Sequence, residues 1–148
     1  MNAVTAITAD HRVLEALFGR LQKGEGEPAE VLAEIKARLL AHSVAEEEHV
    51  YPLLVREEPG EKPAVHHGVA EHREAEEKLA AAEKALGTNG FDRACQDLVD
   101  AVSHHVREEE DGILRALAEA TPAALLDAAG DAFEQRRATE LAGHGYTA

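Results

Sequence analysis

The stretch His42-Ser43-Val44-Ala45-Glu46-Glu47-Glu48-His49 decides how this chain is read. His42 and Glu46 stand four residues apart, so on a helix they share one face about a turn from each other. Ile35, Leu39, His42, Glu46, His49 and Leu53 follow one another in steps of 4, 3, 4, 3 and 4. That is the spacing of the buried stripe of an amphipathic helix, carried here straight through ionisable residues. The arrangement returns 63 residues later as His105-Val106-Arg107-Glu108-Glu109-Glu110-Asp111, where His105 and Glu109 again stand four apart.

Working outward, two more stripes have the same character. Ile7, His11, Leu14, Phe18 and Leu21 form one, and Val65, Gly68, His72, Ala75, Leu79, Ala82 and Leu86 form another. The stripe around His105 reads Leu98, Val102, His105, Glu109, Ile113. Breakers separate the four: Gly24, Gly26 and Pro28, then Pro59, Gly60 and Pro63, then Gly87 and Gly90, then Thr121-Pro122. Helices are therefore expected near 5–23, 28–56, 64–87, 91–119 and 122–141. Pro28 and Pro122 suit first-turn positions and Thr121 an N-cap. Pro52 should bend or end the second helix. Short connections favour antiparallel neighbours. The expected fold is all-α: an up-down-up-down four-helix bundle over residues 1–120, with an additional short C-terminal helix and tail over 121–148 packed on the same domain. In that last helix Leu125, Leu126, Ala129 and Phe133 read as the apolar face of a cover, or of a dimer contact.

Composition bounds the partners. The 148 residues carry 29 acidic and 15 basic side chains, a formal net charge of -14, which is the wrong sign for neutralising phosphates. Nucleic acid and anionic membranes are not expected partners. No run approaches the roughly 20 apolar residues of a membrane span, and the first residues lack a basic-then-apolar leader. The expectation is a cytoplasmic protein, monomeric or a weak homodimer. Cys95, the single cysteine, sits in an apolar helical pattern and reads as a buried structural thiol.

Ionisable groups on a buried stripe cost several kcal/mol each unless partnered. Four histidines (His11, His42, His72, His105) and two glutamates (Glu46, Glu109) share that position, and a common metal centre satisfies all six together. The chain also repeats internally: His11 precedes His42 by 31 residues and His72 precedes His105 by 33, with Asp10-His11-Arg12 echoed by Glu71-His72-Arg73. A duplicated hairpin brings two half-sites around a pseudo-twofold axis, hence two metals. Imidazole with carboxylate suits iron, zinc or manganese, and carboxylates between two ions can bridge them. Glu15, Glu76, Tyr51, His49 and His67 are further candidates for ligation or for supporting the ligands. Their default readings are surface charge for Glu15 and Glu76, helix-end packing for Tyr51, the rim of the site for His49 and the exposed face for His67. His66 and His104 also point away from the stripe.

Four elements, taken in order, resemble the hemerythrin-like family, the HHE cation-binding domain: Ala9-Asp10-His11; His42 to Glu47 leading to Tyr51-Pro52; Glu71-His72-Arg73; and His105 to Glu109. The resemblance covers roughly residues 7–118. It implies a four-helix bundle around a non-haem di-iron centre with His11, His42, Glu46, His72, His105 and Glu109 as ligands, the carboxylates bridging and an oxo or hydroxo group completing the bridge. It also implies small ligands, namely oxygen, hydrogen peroxide or nitric oxide. The chain departs from the oxygen-carrying branch, which has two histidines four apart on its third helix, whereas His72 has Gly68 before it and Glu76 after it, and an Asp five residues beyond the fourth-helix histidine, whereas Glu109 stands four beyond His105. Three functions follow as expectations: binding or reacting with these molecules, enzymatic turnover of peroxide or nitric oxide, and an iron or redox sensor acting through a protein partner.

Overall fold

The computed structural model describes all 148 residues. The first helix, α1 (Ala3–Lys23), starts where the Asn2 side chain accepts a hydrogen bond from Thr5 N at 2.9 Å, and stops at Gly24, whose φ of 70° is open to glycine without strain. Next come α2 (Pro28–His49), the short α3 (Tyr51–Glu57), a single 3-10 turn (Pro59–Glu61), α4 (Lys62–Ala85), α5 (Phe91–Asp111), α6 (Ile113–Ala120) and α7 (Ala123–Gly143). The α1–α2 and α4–α5 hairpins pack side by side, α1 against α5 and α2 against α4, which closes the four-helix bundle. The fold is the all-α bundle expected, and no helix is long and apolar enough to cross a membrane.

Three local readings change. The second helix ends at Val50, two residues before Pro52, because a proline ring clashes with the carbonyl four residues back and α3 must restart with Pro52 in its first turn. The fourth helix, expected to run unbroken to 119, is interrupted at Gly112, with φ -115° and ψ -83°. Thr121 does not cap α7. It ends α6, its N–H bonding to Leu117 O, while Pro122 takes the N-cap position and the Thr121 hydroxyl is turned inward without a partner.

The C-terminal helix is not short: α7 has 21 residues, the same as α1 and α5, and it lies along α1 and α2. Its inner stripe is Leu126, Ala129, Gly130, Phe133 and Leu141, whereas Leu125 faces solvent. Gly130 is where α7 comes nearest the chain start. A Cβ there would fall 2.0 Å from Met1 O and 2.8 Å from Ala3 N.

The apolar core is in two pieces. One gathers Ile7, Tyr51, Leu54, Ile113, Leu117 and Phe133 at the end nearest α3 and α6. The other gathers Leu14, Phe18, Ile35, Leu79, Leu98 and Val102 toward the hairpin loops, with Cys95 buried among them. Between the two lies a belt of buried polar side chains.

Candidate metal centre

The belt is made of the six residues that break the apolar stripes. His11, His42, Glu46, His72, His105 and Glu109 are each between 0% and 7% exposed. Burial at this depth sets Glu46 and Glu109 apart from the exposed members of the acidic runs in which they sit. The helix spacing delivers them: α1 and α4 each present one histidine, and α2 and α5 each present a histidine with a glutamate one turn on.

Their donor atoms form two sets, His11, His42, Glu46 and Glu109 in one, and His72, His105, Glu46 and Glu109 in the other. The glutamates belong to both. Glu46 turns Oε1 to His72 Nε2 at 3.0 Å and Oε2 to His42 Nε2 at 3.6 Å. Glu109 turns Oε1 to His11 Nε2 at 3.2 Å and Oε2 to His105 Nε2 at 3.3 Å. Each carboxylate thus offers one oxygen to each set. Donors held about 2.1 Å from a common ion stand about 3.0–3.4 Å apart; three of these separations fall in that range and the His42–Glu46 one lies just beyond it.

None of these approaches has hydrogen-bond geometry. The Nε2 atoms of all four histidines, both Glu46 oxygens and Glu109 Oε1 are buried without a partner. A buried unsatisfied polar atom costs about 1–3 kcal/mol. Seven together rival the whole net stability of a domain, on the order of 5–15 kcal/mol. A cation in each set would partner every one of them, and the residues present suit borderline divalent and trivalent metals.

Every histidine is steadied from behind. His42 Nδ1–H donates to Asp10 at 2.7 Å, His105 Nδ1–H to Glu71 at 2.8 Å, His11 Nδ1–H to Glu110 at 2.7 Å and His72 Nδ1–H to Glu47 at 2.7 Å. A carboxylate on Nδ1 fixes the tautomer and leaves the Nε2 lone pair facing the centre. Arg12 holds Glu110, Arg73 holds Glu47 and Arg137 of α7 holds Asp10. The acid beside a central residue serves a histidine elsewhere. Asp10 precedes His11 yet serves His42, and Glu47 follows Glu46 yet serves His72.

Without a cation the cluster shares protons. Burial alone would lower the His105 pKa, but the Glu109 carboxylate outweighs it and the value is pushed up to about 9; His11 rises for the same reason. Burial depresses His42 more than Asp10 restores it. Glu46 rises well above the carboxylate range, through burial and then repulsion from Glu109. Glu109 is held well below it, the histidines overcoming its burial. Asp10 is likewise held low, as His42 and Arg137 overcome burial.

The further candidates scatter. Tyr51 is buried, stacks on His72 with ring centroids 5.7 Å apart, and donates its hydroxyl hydrogen to Glu109. Gly68 makes room for it: a Cβ there would lie 2.8 Å from the phenol oxygen. The internal repeat pairs Tyr51 with Leu114 and Gly68 with Ile7, so only one side of the centre has a phenol. Glu15 and Glu76 stay on the surface, bonded to Arg12 and Arg73. The His49 side chain is 37% exposed beside Glu48, off the centre. His67 is exposed, as expected, and lies next to Glu71 and Glu108. Sequence reasoning missed Glu47, Glu71, Glu110, Asp10 and Arg137 as supports. Arg137 carried a readable sign, lying midway between Phe133 and Leu141 on the apolar stripe of α7.

Replacing Asp10 with Asn keeps the shape but removes the charge behind His42. Such supports are worth about 10–100-fold in metal affinity, and a loss of that size is expected in a competition titration with a coloured chelator. Glu15→Gln, which disturbs only an exposed ion pair, should leave affinity within about twofold.

Comparison with known proteins gives one match. The family model described as Hemerythrin HHE cation binding domain covers residues 2–117, a span that includes all six residues of the belt. No curated protein and no solved structure matches the chain.

Proposed function

The chain belongs to the hemerythrin HHE cation-binding family, and from that premise we propose that it holds two iron ions and uses their remaining positions for oxygen, hydrogen peroxide or nitric oxide. The observation that carries this reading is the sharing of Glu46 and Glu109, each turning one oxygen to each pair of histidines. Iron held by imidazole and carboxylate supplies open positions where small molecules are bound or activated.

The protein's own residues set what can enter. Beside the four histidines lies a cavity of about 20 Å³ walled by Leu14, Leu39, Ala75, Val102 and Val106. That is room for about one water-sized molecule, and apart from the histidines Ser43 is the one polar residue in its wall. On the other side Tyr51 keeps its proton, since burial and the two glutamates raise its pKa, so it remains a donor to Glu109 and fixes that carboxylate's orientation. Phe133 of α7 closes over His42, ring centroids 5.5 Å apart, and shields that half from bulk water.

Elemental analysis of the purified protein should give about two irons per chain, with a visible absorption that peroxide changes. Zinc, or no metal, would sink the reading. Loading the metal-free protein at pH 7 should also release protons, because His105, with its pKa pushed up to about 9, holds one there; the calorimetric enthalpy then varies with the buffer's ionisation enthalpy. Sustained oxygen release from peroxide, lost in His105→Ala, would make the centre catalytic. A single stoichiometric reaction assigns it to binding.

A further inference from the structure

The half of the molecule that α7 leaves uncovered carries a second cluster. Where α4 and α5 lie against each other, His67-x-x-x-Glu71 on one helix faces His104-x-x-x-Glu108 on the other. This is the one-turn His–Glu spacing of the buried belt, repeated one residue earlier along α5 and on the outer face. His67 Nε2 is 3.1 Å from Glu108 Oε2 and 3.4 Å from Glu71 Oε2, and His104 Nε2 is 3.3 Å from the other Glu108 oxygen, Oε1, and 3.4 Å from Glu71 Oε2. Ligands of a tetrahedral ion at about 2.1 Å stand about 3.4 Å apart.

Other exposed histidines show no such convergence. His49 meets only Glu48, and His144 only Glu140. The charges around the outer cluster also differ from those elsewhere on the belt's surroundings. Asp10, Glu47 and Glu110 each have an arginine, whereas Glu71 and Glu108 pair with histidines alone. In the repeat the places of His67, His104 and Glu108 are taken by Ala6, Ala41 and Ala45, all buried. The uncovered half therefore holds two imidazoles and two carboxylates with no basic side chain bonded to them.

We propose that His67, Glu71 and Glu108, whose donor atoms lie within 4.8 Å of one another, form with the neighbouring His104 a separate surface site for a divalent transition-metal ion of the zinc or ferrous class. A divalent ion matches the two carboxylates in charge, and mixed imidazole and carboxylate donors select borderline metals over calcium or magnesium. The site stands in a cleft of about 530 Å³ that runs inward to His105 and Glu109. Glu71 belongs to both places: its Oε1 accepts from His105 Nδ1–H at 2.8 Å while Oε2 faces His67 and His104. A cation captured outside is thus one carboxylate away from the ligands inside.

The experiment compares the full-length wild type with a His67→Ala/His104→Ala double variant. Both are iron-loaded, equilibrated with Zn²⁺, freed of excess by gel filtration and analysed for both metals. Wild type should retain one more zinc ion per chain than the variant, with equal iron in the two, and zinc-edge absorption should show two imidazole nitrogens on the extra ion. Glu108→Gln, which keeps side-chain volume, should lose the same equivalent. Equal zinc retention in all three would overturn the proposal, and so would a parallel loss of iron, which would assign these residues to the buried centre. The difference of one equivalent is expected whatever metal fills the belt, so failure here is distinct from failure of the di-iron reading.

Discussion

Glu109→Ala empties both donor sets at once, whereas His42→Ala empties only one. The difference follows from which atoms face where. Glu109 Oε1 lies with His11 and Oε2 with His105, so deleting the carboxylate removes a donor from each set. His42 Nε2 belongs to a single set, whose partner keeps His72, His105 and both glutamates. Metal per chain, measured by elemental analysis after identical loading, should fall to background in Glu109→Ala and to about half in His42→Ala. Retention of half the metal by Glu109→Ala would refute the shared arrangement. In the metal-free state Glu109→Ala also leaves His11 and His105 without the carboxylate that raises their pKa values. Breaking a buried charged pair in this way costs about 3–5 kcal/mol, so a lower unfolding midpoint should accompany the lost metal.

Gly130→Ala tests the other support of the centre. The added Cβ would lie 2.0 Å from Met1 O and 2.7 Å from Asn2 C, which are backbone atoms and cannot rotate aside. Either α7 or the start of α1 has to move. Ala3, completely buried, anchors that start, so the displacement falls on the packing of α7. Overpacking of this kind costs about 1–3 kcal/mol. Because α7 carries Phe133 against His42 and Arg137 against Asp10, the variant should also bind metal more weakly. Unfolding by urea and the chelator competition measure the two effects. Unchanged stability would show that the first residues do not seat against α7.

The six belt residues were legible in the sequence because burial imposes a period, and a histidine or glutamate on an apolar stripe stands out against it. The helix boundaries were legible where Gly and Pro cluster. Gly112 was not, since a lone glycine inside a helical pattern is ordinarily tolerated. Pro52 announced an interruption but not its place at Val50. The supporting carboxylates stayed hidden for a different reason. Glu47 and Glu110 sit in acidic runs that look like solvated faces, and each serves a histidine on another helix, so no spacing within one helix marks them. The start of α7 after Thr121-Pro122 could be read, but not which half of the bundle it would cover, because that depends on contacts with α1 and α2 rather than on any pattern of its own.

The crossing of these carboxylates between hairpins says something about how such a molecule can be assembled. Asp10 and Glu71 serve histidines within their own hairpins, but Glu47 and Glu110 reach into the other one. Two copies of one hairpin related by a twofold axis would make the same exchange and build the same belt, as a symmetric dimer does with a single self-complementary surface. Joining the copies in one polypeptide through Pro59–Glu61 removes the requirement that the sides be alike. One side is then free to carry a phenol, and one to be roofed by α7 while its counterpart stays open to solvent. Covalent linkage thereby permits one face of the centre to specialise in shelter and the other in traffic.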